Sequence, residues 1–142
     1  MKKNVLFLFI MAAIAISGCK KDNKKDDELK STIAGKWFTK KIVEVNYVNN
    51  VKKEEHTDTD FGNNDFFEFK ADGTGIFSEI GDTDPFTYKV TGDILTITYM
   101  PGESLDFKIK SLIGNDAVFV NEFSEIFENV NYKTVTEITV KK

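Results

Sequence analysis

Phe67-Glu68-Phe69-Lys70-Ala71-Asp72-Gly73-Thr74 is the stretch whose reading decides the fold. Phe67 and Phe69 alternate with Glu68 and Lys70, the period-two pattern of a strand with one buried face. Asp72-Gly73 then supplies a tight hairpin turn, and Gly75 to Ile80 returns along a second strand. The same unit repeats downstream. Phe86, Tyr88 and Val90 alternate with Thr87 and Lys89, turn at Thr91-Gly92-Asp93, and return as Leu95, Ile97 and Tyr99. After Pro101-Gly102, Leu105, Phe107 and Ile109 alternate with Asp106, Lys108 and Lys110. Gly114-Asn115-Asp116 turns the chain into Ala117 to Phe123, and a last strand covers about Val130 to Val140.

Upstream, Gly35-Lys36-Trp37 opens a strand that runs to about Val48. Trp37, Val43, Val45 and Tyr47 share one parity, but Lys41 breaks the pattern, which predicts a bend or bulge. Asp27 to Gly35 reads as one short helix. It starts on acidic residues, places Leu29 and Ile33 four apart on one face, and stops at Gly35. Eight strands follow with no helix between any two. Strands joined by hairpins pair antiparallel and in order. The predicted fold is therefore all-β: an eight-stranded antiparallel up-and-down barrel with a short N-terminal helix. Closing the barrel removes the exposed edges. Glu68, Lys70, Lys89, Lys108 and Lys110 face outward, so the barrel is not one that faces lipid. A two-sheet sandwich would use the same strands.

In a meander, alternate connections lie at the same end. The turns at Asp72-Gly73, Gly92-Asp93 and Asn115-Asp116 share one end, the closed one. The connections at about 49–64, 80–85, 100–104 and 124–129 share the other, and are expected as longer acidic loops. They carry Glu54, Glu55, Asp58, Asp60, Asp82, Asp84, Glu103, Glu125 and Glu128. Barrel mouths are common pocket sites.

The N-terminus carries an address. Met1-Lys2-Lys3 is basic, Val5 to Ile16 is an uncharged apolar run, and Ser17-Gly18 are small, the layout of a secretory signal peptide. A spanning helix needs about 20 apolar residues, and this run offers ~12. Ile16-Ser17-Gly18-Cys19 resembles the lipobox of bacterial lipoproteins, with Ile16 where Leu is commonest. The resemblance implies cleavage before Cys19 and lipidation of its thiol by several acyl chains, a stable anchor. The expected organisation is a signal peptide over 1–18, the lipidated Cys19 and a charged tether over 19–30, and the barrel domain over 31–142. Residues 20–30 hold one apolar side chain, Leu29, and read as a solvated tether that lifts the domain off the lipid. Lys25-Asp26-Asp27-Glu28 also resembles the acidic export signals of some surface lipoproteins. The expected location is the outer membrane, at the periplasmic face or the cell surface.

Composition narrows the function. The chain has 142 residues, with 13 Phe, 4 Tyr and 1 Trp to build a core. It contains 1 Cys, 1 His and no Arg, and its formal charge is −4. Losing Lys2 and Lys3 with the leader makes that charge more negative still. Nucleic acid requires a cationic surface and is excluded as a partner. With Cys19 acylated, the domain holds together without disulfides. A monomer is expected.

The chain resembles bacterial lipocalin-like domain lipoproteins. Gly35-Lys36-Trp37 matches the G-x-W motif of lipocalins. Phe69-Lys70-Ala71-Asp72-Gly73-Thr74 and Tyr88-Lys89-Val90-Thr91-Gly92-Asp93-Ile94-Leu95-Thr96-Ile97 look like the repeated pattern of the bacterial domains. The resemblance covers about residues 33–140. Members commonly carry Trp where Tyr88 stands, and some hold a Cys pair absent here. Lipocalins also place an Arg over the G-x-W Trp, and this chain has none. The resemblance implies a barrel and a pocket more than an activity, and no cofactor is expected. It makes a small, mostly apolar molecule the expected ligand, lined by Phe67, Phe69, Phe86, Tyr88, Tyr99 and Phe107. The alternative is an interaction domain, for a protein or a glycan, in which those rings fill the barrel.

Catalysis finds little support. An enzyme needs a nucleophile with its base, a tuned carboxylate pair or a metal. His56 is the only imidazole and sits among Lys52, Lys53, Glu54 and Glu55. A zinc site would need more His or Cys. Asp58-Thr59-Asp60-Phe61-Gly62-Asn63-Asn64-Asp65 resembles part of a calcium loop, but Phe69 stands where the bidentate Glu belongs. An ordinary polar loop explains it as well. No metal is expected. The candidate cation ligands are Asp58, Asp60, Asp82 and Asp84.

Overall fold

The computed structural model describes residues 21–142. The leader and Cys19 lie outside the described residues. One helix, α1 (Lys21–Ile33), precedes nine strands. They are β1 (Gly35–Val48), β2 (Val51–Asp58), β3 (Phe66–Phe69), β4 (Thr74–Glu79), β5 (Asp82–Thr91), β6 (Ile94–Met100), β7 (Glu103–Ile113), β8 (Asp116–Phe127) and β9 (Val130–Lys141). Neighbours pair antiparallel in chain order from β3 to β9, and β1 pairs with both β3 and β9, closing the ring.

The extra strand does not add a stave to the barrel. Ile42 to Val48 of β1 pairs with β2, and Gly35 to Phe38 pairs with β3 on the same edge. β2 and β3 are thus two pieces of one stave, interrupted at residues 59–65, and the closed barrel has eight. This corrects the expected long loop over 49–64. Asn49 and Asn50 both take positive φ, 50° and 63°, the requirement of a two-residue hairpin turn whose twist matches its strands. The other mouth connections are equally short. Ile80-Gly81 and Glu128-Asn129 turn with both residues at positive φ, so β5 starts at Asp82 and β8 runs on to Phe127.

The predicted irregularity in β1 is present as a register shift between Thr39 and Lys41. It moves the alternation by one. Trp37 and Thr39 point inward below the shift, and Ile42, which pairs with inward Ile138, points inward above it. Val43, Val45 and Tyr47 therefore lie on the outer face, opposite Trp37 in orientation.

The closed end is packed solid. Trp37, Ile33, Leu95, Ala117 and Val140 are wholly buried, and Phe69 nearly so. The Phe69 ring meets Phe86, Tyr88 and Phe119 edge-on at 5.4, 5.1 and 6.4 Å, a favoured arrangement for aromatic quadrupoles. Gly75 is required in this layer, because a Cβ there would run into the Phe86 ring and the Glu68 carbonyl. α1 plugs the end: Trp37 Nε1 donates to the Ile33 carbonyl oxygen at 2.6 Å, and Leu29 packs on the core. Lys142 Nζ lies 4.6 Å from the Trp37 ring centroid and donates to the Thr32 carbonyl oxygen. The cation over the tryptophan is supplied here by a lysine from the last position of the sequence.

The helix begins earlier than expected. It starts at Lys21, so most of the charged stretch read as tether is helical. Asp26 Oδ1 accepts the Gly92 backbone N–H at 2.7 Å, fastening this turn of the helix to the β5–β6 hairpin.

Candidate functional site

Above the packed layers the barrel opens. Three seams form in its wall as strands part, the first where β2 pairs with β1 alone and not with β4. β5 pairs with β4 through Asp82 to Thr87 but with β6 only from Thr87 onward. β7 pairs with β6 from Glu103, yet meets β8 only from Lys108. The upper wall thus divides into the β4–β5 and β6–β7 hairpins and a broader sheet of β2, β1, β9 and β8.

A cavity of about 200 Å³ lies within this mouth. Phe67, Tyr99 and Phe107 line it, as the alternation predicts. Thr39, Ile42, Phe61, Phe77, Leu105 and Ile138 complete most of the wall. Below, around Phe69, Leu95, Ile97 and Phe119, no water-sized space remains. The six predicted lining residues therefore divide. Phe67, Tyr99 and Phe107 border the cavity, whereas Phe69 and Tyr88 fill the base. Phe86 packs against Tyr99 at 6.0 Å and faces a second hollow.

That second hollow, about 540 Å³, is a groove on the outer wall where β5 and β6 part. It runs over Ile76, Pro85 and Met100 and is open to solvent. Pro85 suits the seam, since it has no N–H to leave unpaired there. Tyr99 borders both spaces and stands between them. Burial, and next the nearby Asp84 carboxylate, raise its pKa above the ordinary tyrosine value.

Residues 59–65 cross the cavity side of the mouth and are tied down at several points. Asp65 carries the most bonds. Its Oδ1 accepts the Ile80 N–H at 2.7 Å and its Oδ2 the Gly62 N–H at 2.6 Å. Those two bonds, Ile80 first, hold its carboxyl below the ordinary carboxylate range. Ser78 Oγ donates to the Asn64 carbonyl oxygen at 2.6 Å. Ile80 is a β-branched residue at φ 54°, a conformation that costs on the order of 1–2 kcal/mol, and Asp65 secures it. Phe61 is carried into the cavity wall by this segment. Its signal in the sequence is a lone aromatic inside an Asp-rich run.

The acidic candidates do not converge. Asp58 closes β2 and its Oδ1 accepts the Asp60 N–H at 2.9 Å, a local turn. Asp82 and Asp84 sit on β5 within the ladder to β4 rather than on a loop. Among the described residues no three His, Cys, Asp or Glu side chains come together as a metal site. His56 is exposed on β2. The mouth is instead acidic by distribution. Above Ile42, Glu44 shares the inward face, and Asn46 links it to Thr134 by bonds of 3.2 and 2.8 Å.

The family model described as a lipocalin-like domain matches residues 33–119. The chain belongs to this family. The match runs from the end of α1 through β1 and into β8, taking in the plugged base and most of the mouth wall. No curated protein and no solved structure matches the chain. A lipocalin-like barrel with an apolar mouth cavity suits a small-molecule binding domain, and the family is in general a binding fold rather than an enzyme.

Proposed function

We propose that this lipocalin-like protein is a membrane-anchored bacterial lipoprotein whose barrel binds a small, mostly apolar molecule at its mouth. The observation that carries the reading is the apolar cavity of about 200 Å³ above a base with no free space. Drug-sized pockets usually measure about 300–1,000 Å³, and an apolar cavity of ~150 Å³ accepts benzene. The ligand is therefore about the size of one or two rings, or the end of a longer molecule. Glu44 and the surrounding carboxylates favour a hydrogen-bond donor or a cation on its outer end. The protein is not an enzyme and acts without metal or cofactor.

The anchoring half rests on the lipobox-like Ile16-Ser17-Gly18-Cys19 after an apolar leader. On this reading the protein is held in the outer membrane through lipid on Cys19 and acts as a monomer. Native mass spectrometry of gently extracted protein tests both halves. The expected result is acyl mass on the N-terminal cysteine and a small organic molecule on the folded barrel. Cys19→Ser should carry neither the acyl mass nor the membrane association. A parent that is unacylated refutes the anchor. An acylated parent whose barrel carries no added mass in any preparation refutes the ligand.

A second reading has its own support. Phe123, Ile126 and Phe127 project from the upper part of β8 and are more than half exposed. An interaction domain would use that tip against a protein or glycan and leave the cavity empty. Loss of binding partners on Phe123→Ser with Phe127→Ser, with the barrel's ligand retained, would separate the two roles.

A further inference from the structure

We infer that the closed end of the barrel rests on the lipid surface and the mouth points away from it. This deepens the proposed anchoring and rests on it. The first observation is the length of free chain. Six residues lie between Cys19 and Asp26, where helix α1 is fastened to the barrel. α1 is fastened near its middle by the bond from Gly92 to Asp26 and at its end by the bond from Trp37 to Ile33. Leu29 and Ile33 join the core. A solvated tether over 20–30 would let the barrel tumble at up to roughly 30 Å from the anchor. A docked helix removes that freedom and delivers the anchor to the closed end, beside the β5–β6 turn.

The second observation is charge. The chain's negative balance is carried by the mouth. Glu54, Glu55, Asp82, Asp84, Glu125 and Glu128 lie there against Lys52, Lys53 and Lys133. The closed end is near balance, with Lys36, Lys70, Lys108, Lys141, Lys142 and the helix lysines set against Glu68, Asp72, Asp93, Asp116 and the helix acids. Three of those acids are held by local partners, so the closed end presents less unbalanced negative charge than the mouth. Asp72 Oδ1 accepts both Thr74 N–H and Thr74 hydroxyl, Asp93 faces Lys108 at 3.8 Å, and Asp116 faces Lys141 at 3.7 Å. Anionic headgroups attract lysines and repel carboxylates within a Debye length of about 8–10 Å. The two effects agree, and the lipid partner is an anionic phospholipid surface.

The pose has a functional consequence. β1 has 14 residues, and at a rise of ~3.3 Å each, tilted as barrel strands are, its far end stands roughly 30 Å above the base. The cavity then opens to the aqueous side, and its ligand arrives through water or from a soluble partner rather than from the bilayer beneath.

The test uses lipidated protein reconstituted in vesicles of phosphatidylethanolamine with phosphatidylglycerol. Acylated Cys19 leaves no thiol, so a single fluorophore can be placed on Asn115→Cys at the closed end or Glu103→Cys at the mouth. Nitroxide-labelled headgroups then report proximity. The expected result is quenching several-fold stronger at position 115 than at 103. Inserting ten Gly and Ser residues between Lys20 and Lys21 should bring the two values together. Flotation of the parent, compared with Cys19→Ser, reports the anchor separately. A parent that does not float defeats the anchor and the pose with it. A floating parent with equal quenching at both positions, or stronger quenching at 103, overturns the pose alone. A difference unchanged by the inserted spacer overturns the role of the short link.

Discussion

The two halves of this barrel share strands, alternation and much of their composition, yet they are built to opposite ends. In the closed half the inward side chains interlock, the helix seals the end, and no space remains around Phe69, Leu95 and Phe119. In the mouth half the same strands part at three seams and leave a cavity among Ile42, Phe67, Leu105 and Phe107. Inward-facing hydrophobics alone therefore do not make a pocket. What separates the halves is whether neighbouring strands remain paired at that height. Paired staves draw opposite walls together until the rings meet, whereas parted staves splay.

Truncation should break the comparison most sharply at the base. Trp37 is fully buried, donates a hydrogen bond to Ile33 and carries Lys142 on its face. Trp37→Ala should cost about 3–5 kcal/mol, measured by denaturant unfolding. A loss under about 1 kcal/mol would mean that the base is not the structural core. A matched pair sharpens the contrast. Leu95, 0% exposed, and Leu105, 45% exposed, lie on neighbouring strands of one barrel. Leu95→Ala should cost about 2–5 kcal/mol and Leu105→Ala less than about 1 kcal/mol. Equal costs would erase the distinction between a solid base and a hollow mouth.

High pH gives a smaller effect at both levels. Burial raises the pKa of Tyr88 in the base and of Tyr99 at the mouth. A group whose folded pKa is raised contributes stability below its unfolded pKa and loses it as pH climbs through the folded value. The melting temperature should therefore be flat from about neutral pH to about pH 10 and fall above it. Tyr99→Phe should remove part of that fall. Tyr88→Phe should remove part as well, but lower stability at every pH, because Tyr88 also donates to the Lys70 carbonyl oxygen at 2.8 Å. A slope identical to the parent in both variants would contradict the assignment.

The closed half was legible in the sequence because it obeys local rules. Asp72-Gly73 specifies its turn, Phe67 and Phe69 specify a face, and Leu29 and Ile33 predict the plug over Trp37. The missing elements obey none. β2 reads Val-Lys-Lys-Glu-Glu-His-Thr-Asp and is exposed along nearly its whole length, so no alternation marks it. The ladder to β1 holds it instead, and the visible clue was the Asn49-Asn50 pair. The first turns of α1 are polar in sequence, and a bond to Gly92, 66 residues away, distinguishes them from a tether. The cavity was half legible. Alternation named Phe67, Tyr99 and Phe107, but which rings touch depends on where strands part. Nor could spacing show that Asp58 would accept the backbone N–H of its own neighbour Asp60.

The most direct measurement is an NMR titration of the methyl groups with a small apolar probe, benzene, in the folded protein. If the mouth is hollow and the base solid, the methyl resonances of Ile42, Leu105 and Ile138 shift saturably, while those of Leu95, Ala117 and Val140 stay in place. Shifts confined to the exposed residues Ile113 and Ile126, or no saturable shift at all, would contradict a binding cavity at the mouth of this barrel.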